Sequence, residues 1–174
     1  MVKIEKRVTV GINQRFIESS KNKFNAYNLE QIQLKNTFLM PTLRDHWLAG
    51  FTDAEGCFSI SLSSTSSSTH VMFGISQKGE ENLPVFSVIL LLFGVGIIRP
   101  HHNKGCFEYR IASISGCFAV YTYFDSYSLK TLKKESYRLW KEVHTAIANK
   151  EHLNSEKRLL LCAKSKQINA FSKF

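Results

Sequence analysis

The sequence predicts an α+β domain in the order αββαββα, with one four-stranded antiparallel sheet covered by helices on a single face. Three observations lead there. Strict alternation of apolar and polar side chains marks strands over 57–63 and 71–75. Two further β-like runs, 96–101 and 106–112, flank the turn-forming HNKG. Apolar or amphipathic segments of helical length stand before, between and after these pairs.

Residues 1–42 show no clean period; they are polar, Asn-rich and basic, and read as an extension ahead of a domain over 43–174. Thr42 can cap a helix from Leu43 to about Ala54, with Asp45 at the favourable third position. In the following strand Cys57, Ser59, Ser61 and Ser63 share one side, and Phe58, Ile60 and Leu62 the other. The run SSTSSST, 63–69, is a polar hairpin loop, after which Val71, Phe73 and Ile75 resume the alternation. Residues 80–93 form a buried helix, with Pro84 in its first turn and Gly94 ending it. Helices are also predicted over 113–123, 132–149 and 154–168.

Composition narrows the function. Hydrophobic residues make up 44% of the 174, enough for a real core, and the longest apolar run, Val85 to Phe93, is too short to span a membrane. The charged amino terminus does not read as a secretory signal. Cys57, Cys106, Cys117 and Cys162 form no CxxC pair and read as reduced, buried thiols. The net charge of +9 sits at the two ends: residues 1–42 carry seven Lys and Arg against three acids, and 128–174 carry eleven against four. The centre, 43–127, holds five against seven. Basic ends on a near-neutral centre suit a phosphate-bearing partner.

The stretch HWLAGFTDAEGCFSI, residues 46–60, carries the chemistry. Gly50 and Ala54 lie four apart on one helix face, and Ala49 adds a third small side chain, so another helix can approach closely. Glu55 then falls at the carboxyl end of the helix, where the dipole disfavours an acid and a divalent cation would offset the penalty. Taken alone, Asp53 and Glu55 read better as solvated helix-end acids.

They do not stand alone. LAGFTDAEG, 48–56, resembles the signature of the LAGLIDADG homing endonucleases. The likeness continues in order through CFSI, FGISQK (73–78), FGVGIIR (93–99), SLKTLKKESYRLW (128–140) and NKEHL (149–153). It covers roughly residues 43–170 and is greatest to one repeat, particularly the second, of the two-repeat organellar enzymes.

The resemblance implies two motif helices packed side by side through Ala49, Gly50 and Ala54, each delivering one acid to a shared centre. That acid matches Glu55, with the Ala54 carbonyl assisting as a second Mg²⁺ ligand. Asp53 matches the earlier acidic position and supports the helix end. Gln77 matches a polar active-site position, and Lys133 the lysine near the cleaved phosphate, with Lys130 as runner-up. The implied reaction is hydrolysis of phosphodiester bonds in double-stranded DNA with Mg²⁺. One chain carries one motif, so a homodimer or a partner chain must bring the second. The resemblance also implies an organellar setting, mitochondrion ahead of chloroplast.

The sheet face expected to meet nucleic acid is unusual. It offers Ser59, Ser61 and Ser63, and residues 57–76 contain no Lys or Arg. Suitable side chains appear only later, at Arg99, His101, Glu108 and Arg110, with Lys130 beyond them. The adjacent His101 and His102 read as loop histidines. Together with the basic ends, this bland face supports a second expectation: a retired endonuclease kept as an RNA-binding protein of an organellar ribosome or as an intron maturase, bound to structured rRNA or intron RNA.

Overall fold

The computed structural model describes residues 41–63 and 68–170. Nearly all of the expected extension, and the middle of the first hairpin loop, lie outside them. Helix α1 is Trp47–Glu55, followed without a break by β1, Gly56–Leu62, and then β2, Thr69–Lys78. Helix α2, Leu83–Phe93, leads to β3, Ile97–Pro100, and β4, Cys106–Ile111. Two short helices, α3 (Ile114–Cys117) and α4 (Tyr121–Ser126), precede the long α5, Lys133–Ala148, and the final α6, Ser155–Gln167. The four strands pair antiparallel in the order β1-β2-β4-β3. The predicted αββαββα architecture is therefore the observed one.

The alternation in the sequence becomes the two faces of the sheet. Phe58, Ile60 and Leu62 of β1, Val71, Phe73 and Ile75 of β2, and Tyr109 and Ile111 of β4 are buried beneath the helices. Phe58 is central, its ring 5.2 Å from Phe73, 5.5 Å from Phe124 and 5.3 Å from Trp140 of α5. Such rings bury large apolar areas and pack edge-on or tilted. Helix α5 turns Ser136, Tyr137, Leu139, Trp140, Val143, His144 and Ile147 inward, the three-and-four spacing of an amphipathic helix. Gly94 ends α2 in the left-handed region at φ 66°, where a side chain is disfavoured.

Three boundaries depart from the sequence reading. Helix α1 begins at Trp47 rather than Leu43. Thr42 Oγ1 donates to Asp45 Oδ2 at 3.0 Å, while Asp45 Oδ1 accepts from the Trp47 N–H at 2.9 Å. These bonds stabilise a non-helical turn, and the helix starts only after it. Residues 80–93 divide into a 3₁₀ turn, Glu80–Asn82, and α2 proper. Residues 113–123 form α3, a 3₁₀ turn over Phe118–Val120, and α4. Their buried side chains Cys117, Val120 and Tyr123 are three apart, the repeat of a 3₁₀ helix rather than an α-helix.

All four cysteines are free, but only Cys117 and Cys162 are buried; Cys57 is exposed on the open side of the sheet, so the expectation of uniformly buried thiols fails there. No helix among the described residues is long and apolar enough to cross a membrane.

Candidate active site

Helix α1 has a core side and an open side. Leu48, Ala49 and Thr52 are buried, and the Ala49 N–H donates to Tyr123 Oη at 2.8 Å. Gly50 and Ala54 are exposed, and a Cβ added at Gly50 would meet nothing within 4 Å. The three small residues therefore do not share one face. Ala49 packs in this chain's own core, because it lies one residue, about a quarter-turn, from Gly50. Nor does any helix among the described residues cover Gly50 and Ala54, so the expected helix–helix burial is not made within one chain.

The chain leaves α1 directly into β1 at Gly56. A Cβ there would stand 2.5 Å from Thr52 Cγ2 and 2.8 Å from the Thr52 carbonyl oxygen. Only glycine allows so abrupt an exit, which fixes Glu55 at the junction of helix and sheet.

The acids and the lysine separate into distinct roles. Asp53 accepts from the Lys130 N–H at 2.7 Å, the Thr131 N–H at 3.3 Å and Thr131 Oγ1 at 2.6 Å. Its carboxylate thus ties the end of α1 to the loop ahead of α5. Glu55 is exposed and makes no hydrogen bond or ion pair among the described residues. Lys133 Nζ donates to the Thr52 carbonyl at 3.0 Å. Burial lowers the pKa of Lys133 from its ordinary value, opposed by the nearby Asp53 and Glu55 carboxylates. Lys133 is therefore tied to the motif helix, whereas Lys130 contributes its backbone N–H to Asp53 and leaves its side chain exposed.

Gln77 lies on β2 opposite Phe107, two residues past Ile75, the partner of Gly56. It therefore sits at the end of the sheet where Glu55 enters. Its Oε1 accepts from the Lys78 N–H at 3.0 Å.

The open face of the sheet is ordered in rows by strand pairing. Cys57, Gly74, Arg110 and Ile97 form one row, and Ser76, Glu108 and Arg99 the next. Ser59 and Ser61 pair with Met72 and His70 farther from Glu55. Ser63 falls beyond the last β1 residue, and its carbonyl accepts from Arg158 Nε at 2.7 Å. His101 begins the β3–β4 turn, with its ring 3.9 Å from that of His102. Glu108, expected on this face as a side chain suited to nucleic acid, is instead held within the protein. It is 5% exposed and salt-bridged to Arg99 Nε, with Arg110 Nη1 at 4.0 Å. The parts of the site missed altogether are Thr131 and the Thr52 carbonyl: a threonine in a polar loop and a backbone oxygen carry no sequence signal.

The donors suit a divalent cation only in part. Glu55 offers a free carboxylate and Ala54 a carbonyl beside it, whereas no cluster of three His, Cys, Asp or Glu residues exists among the described residues. A hard cation with six oxygen ligands needs more than one chain's set, water included.

Comparison with known proteins agrees with this fold and motif. The family description LAGLIDADG endonuclease matches residues 48–144, more than half of the chain, and the protein belongs to that family. The probable intron-encoded endonuclease 4 of Neurospora crassa is 30% identical over 166 residues, which cover 88% of this chain and 30% of the relative. An uncharacterised 37.2 kDa protein of cox1 intron 2 from Schizosaccharomyces pombe is 33% identical over 159 residues, covering 80% of this chain and 48% of the relative. The chain spans less than half the length of these curated relatives. Among solved structures, the homing endonuclease I-TnaI superposes with a TM-score of 0.66 at 25% identity, over 75% of this chain and 90% of that one. The LAGLIDADG meganuclease I-AabMI, solved bound to uncleaved DNA, superposes with a TM-score of 0.66 at 28% identity, over 72% of this chain and 44% of that one.

Proposed function

We propose that this chain is a site-specific DNA endonuclease of the homing type, hydrolysing phosphodiester bonds as a pair of single-motif chains. The observation that carries the reading is the open side of α1: Gly50 and Ala54 are exposed and small, and the unpartnered Glu55 ends the same helix. A second motif helix fits against such a face and brings a second Glu55 beside the first. Relatives named as intron-encoded endonucleases, and a neighbour solved on DNA, support the substrate class. I-TnaI, matched over 90% of its length by part of this chain, supports a working protein of one-repeat size. Relatives named for ND4 and cox1 introns support an organellar origin.

The residues take the following roles in this proposal. Paired Glu55 carboxylates and the Ala54 carbonyls would hold a divalent ion, Mg²⁺ in this reading. When bound, that ion supplies activation of water and stabilisation of the leaving oxygen. Lys133, fixed against the Thr52 carbonyl, places positive charge beside the cleaved phosphate. Gln77 orients polar groups at the same end of the sheet. Asp53 holds the α1 terminus against the loop before α5. The test is incubation of the purified chain and Mg²⁺ with duplexes spanning empty insertion sites of introns like those of the relatives. The reading predicts one discrete double-strand cut, lost in EDTA.

A second reading draws on the uncharged rows of the open face, Ser59, Ser61, His70 and Met72, which lack the base-reading Arg and Lys. An RNA-binding protein of an organellar ribosome or an intron maturase would use the basic ends instead. Co-sedimentation with ribosomal particles or intron RNA, without selective DNA binding, would favour it.

A further inference from the structure

The open face is not uniformly bland, because its charges gather at one end. The row Ser76, Glu108 and Arg99 lies one step past the start of β1, next to the end of α1. Cys57, the first outward side chain of β1, heads the adjoining row through Gly74 to Arg110. The charged cluster therefore adjoins the candidate active site, while the serine-rich rows lie farther away.

Within the cluster one carboxylate serves two guanidinium groups unequally. Glu108 Oε1 accepts from Arg99 Nε, and Arg110 Nη1 stands 4.0 Å from the same oxygen. Arg110 Nε is buried without a hydrogen-bond partner among the described residues, and Arg99 holds the closer share of the carboxylate. The Glu108 side chain is 6% exposed and that of Arg99 is 47% exposed. Two cations around one buried anion leave a net positive charge at the surface. With Nε engaged, the two Nη groups of Arg99 remain as a fork. That fork matches the paired acceptors O6 and N7 of guanine, displayed only in the major groove. A carboxylate on Nε limits the rotamers of a long side chain, so less freedom is lost when the fork engages.

We propose that Glu108 is a positioning residue that holds Arg99 to read a guanine in the major groove of the duplex target, close to the cut. This rests on the endonuclease reading. It makes Arg99 the specificity-determining side chain of an otherwise weakly reading face, and Glu108 acts only through it.

The test is selection of bound duplexes from a randomised library by the full chain without divalent ion, followed by sequencing. Wild type should enrich a guanine at one position of each half-site. Arg99→Lys should keep the salt dependence of binding and lose that guanine, because a point charge lacks the fork. Glu108→Gln should weaken the guanine preference on the order of tenfold at that position alone. In the Arg99→Lys background the Glu108 change should alter no base preference, the coupling expected of a residue acting through another. Thermal melting of each variant shows whether it is folded. Uniform weakening on all sequences by Arg99→Ala would make Arg99 a phosphate contact and overturn the proposal. So would a guanine preference that survives Arg99→Ala. Selective binding without an Arg99-dependent guanine sinks this proposal alone, whereas no selective DNA binding by wild type sinks the endonuclease reading with it.

Discussion

Lys133 Nζ donates to the carbonyl oxygen of Thr52 at 3.0 Å, so the first residue of α5 closes the carboxyl end of α1. An ammonium there offsets the partial negative charge of the terminal carbonyls, which is why two acids are tolerated nearby. Asp53 is directed sideways to Lys130 and Thr131, and Glu55 alone is left to the open side.

That division separates stability from activity at Lys133. Burial penalises its charged form, so the ammonium gives up part of its hydration in exchange for the Thr52 bond and nearby negative charge. Lys133→Met removes both the penalty and the bond. The thermal midpoint should move by no more than a few degrees, while single-turnover cleavage falls on the order of a hundredfold. Equal loss of folding and cleavage would make Lys133 a structural cation.

Substitution at Gly50 tests the proposed pairing apart from folding. A Cβ there meets nothing within 4 Å among the described residues, and replacing a helical glycine stabilises by about 0.5–1 kcal/mol. Gly50→Gln should raise the thermal midpoint of the monomer and abolish pairing. Sedimentation velocity checks this: wild type should run as a pair at concentrations where the variant runs singly. An unchanged sedimentation coefficient would move the interface elsewhere.

The core carries its own pH dependence. His144 is fully buried, with Nε2 donating to the Ile114 carbonyl at 2.8 Å and Nδ1 accepting from Tyr121 Oη at 2.5 Å. Burial lowers its pKa below the ordinary 6.5. The unfolded chain therefore takes up the proton first, so the stability tied to neutral His144 is present above pH 6.5 and is lost as pH falls through the folded value. His144→Gln should be less stable at neutral pH by about 1–3 kcal/mol and lose less on acidification. Urea melts across that range measure both; parallel acid limbs would assign the loss to other groups.

How far the sequence foretold this structure depends on the kind of signal. The alternation in 57–63 and 71–75 became the two faces of β1 and β2, because period two has only one geometric meaning. The small-residue pattern was read less well. Gly50 and Ala54 fell together, but Ala49 belonged to the core, since neighbouring residues on a helix face different ways. Asp53 and Glu55 differ only in their surroundings, and the surroundings of Asp53 come from Lys130 and Thr131, far along the chain. The burial of Glu108 was likewise invisible, because it needs Arg99 on one strand to meet Glu108 on the next.

In the proposed mechanism each chain contributes Glu55 to a shared, metal-dependent cleavage site. Glu55→Gln keeps the shape and removes the charge; with no hydrogen bond or ion pair to lose among the described residues, it should leave the fold intact. The decisive measurement pairs filter binding with Mg²⁺-dependent cleavage on one cognate duplex, for wild type and Glu55→Gln side by side. Binding within about twofold of wild type and cleavage reduced by at least about a thousandfold is the predicted result. Cleavage by Glu55→Gln at a rate near wild type would contradict it.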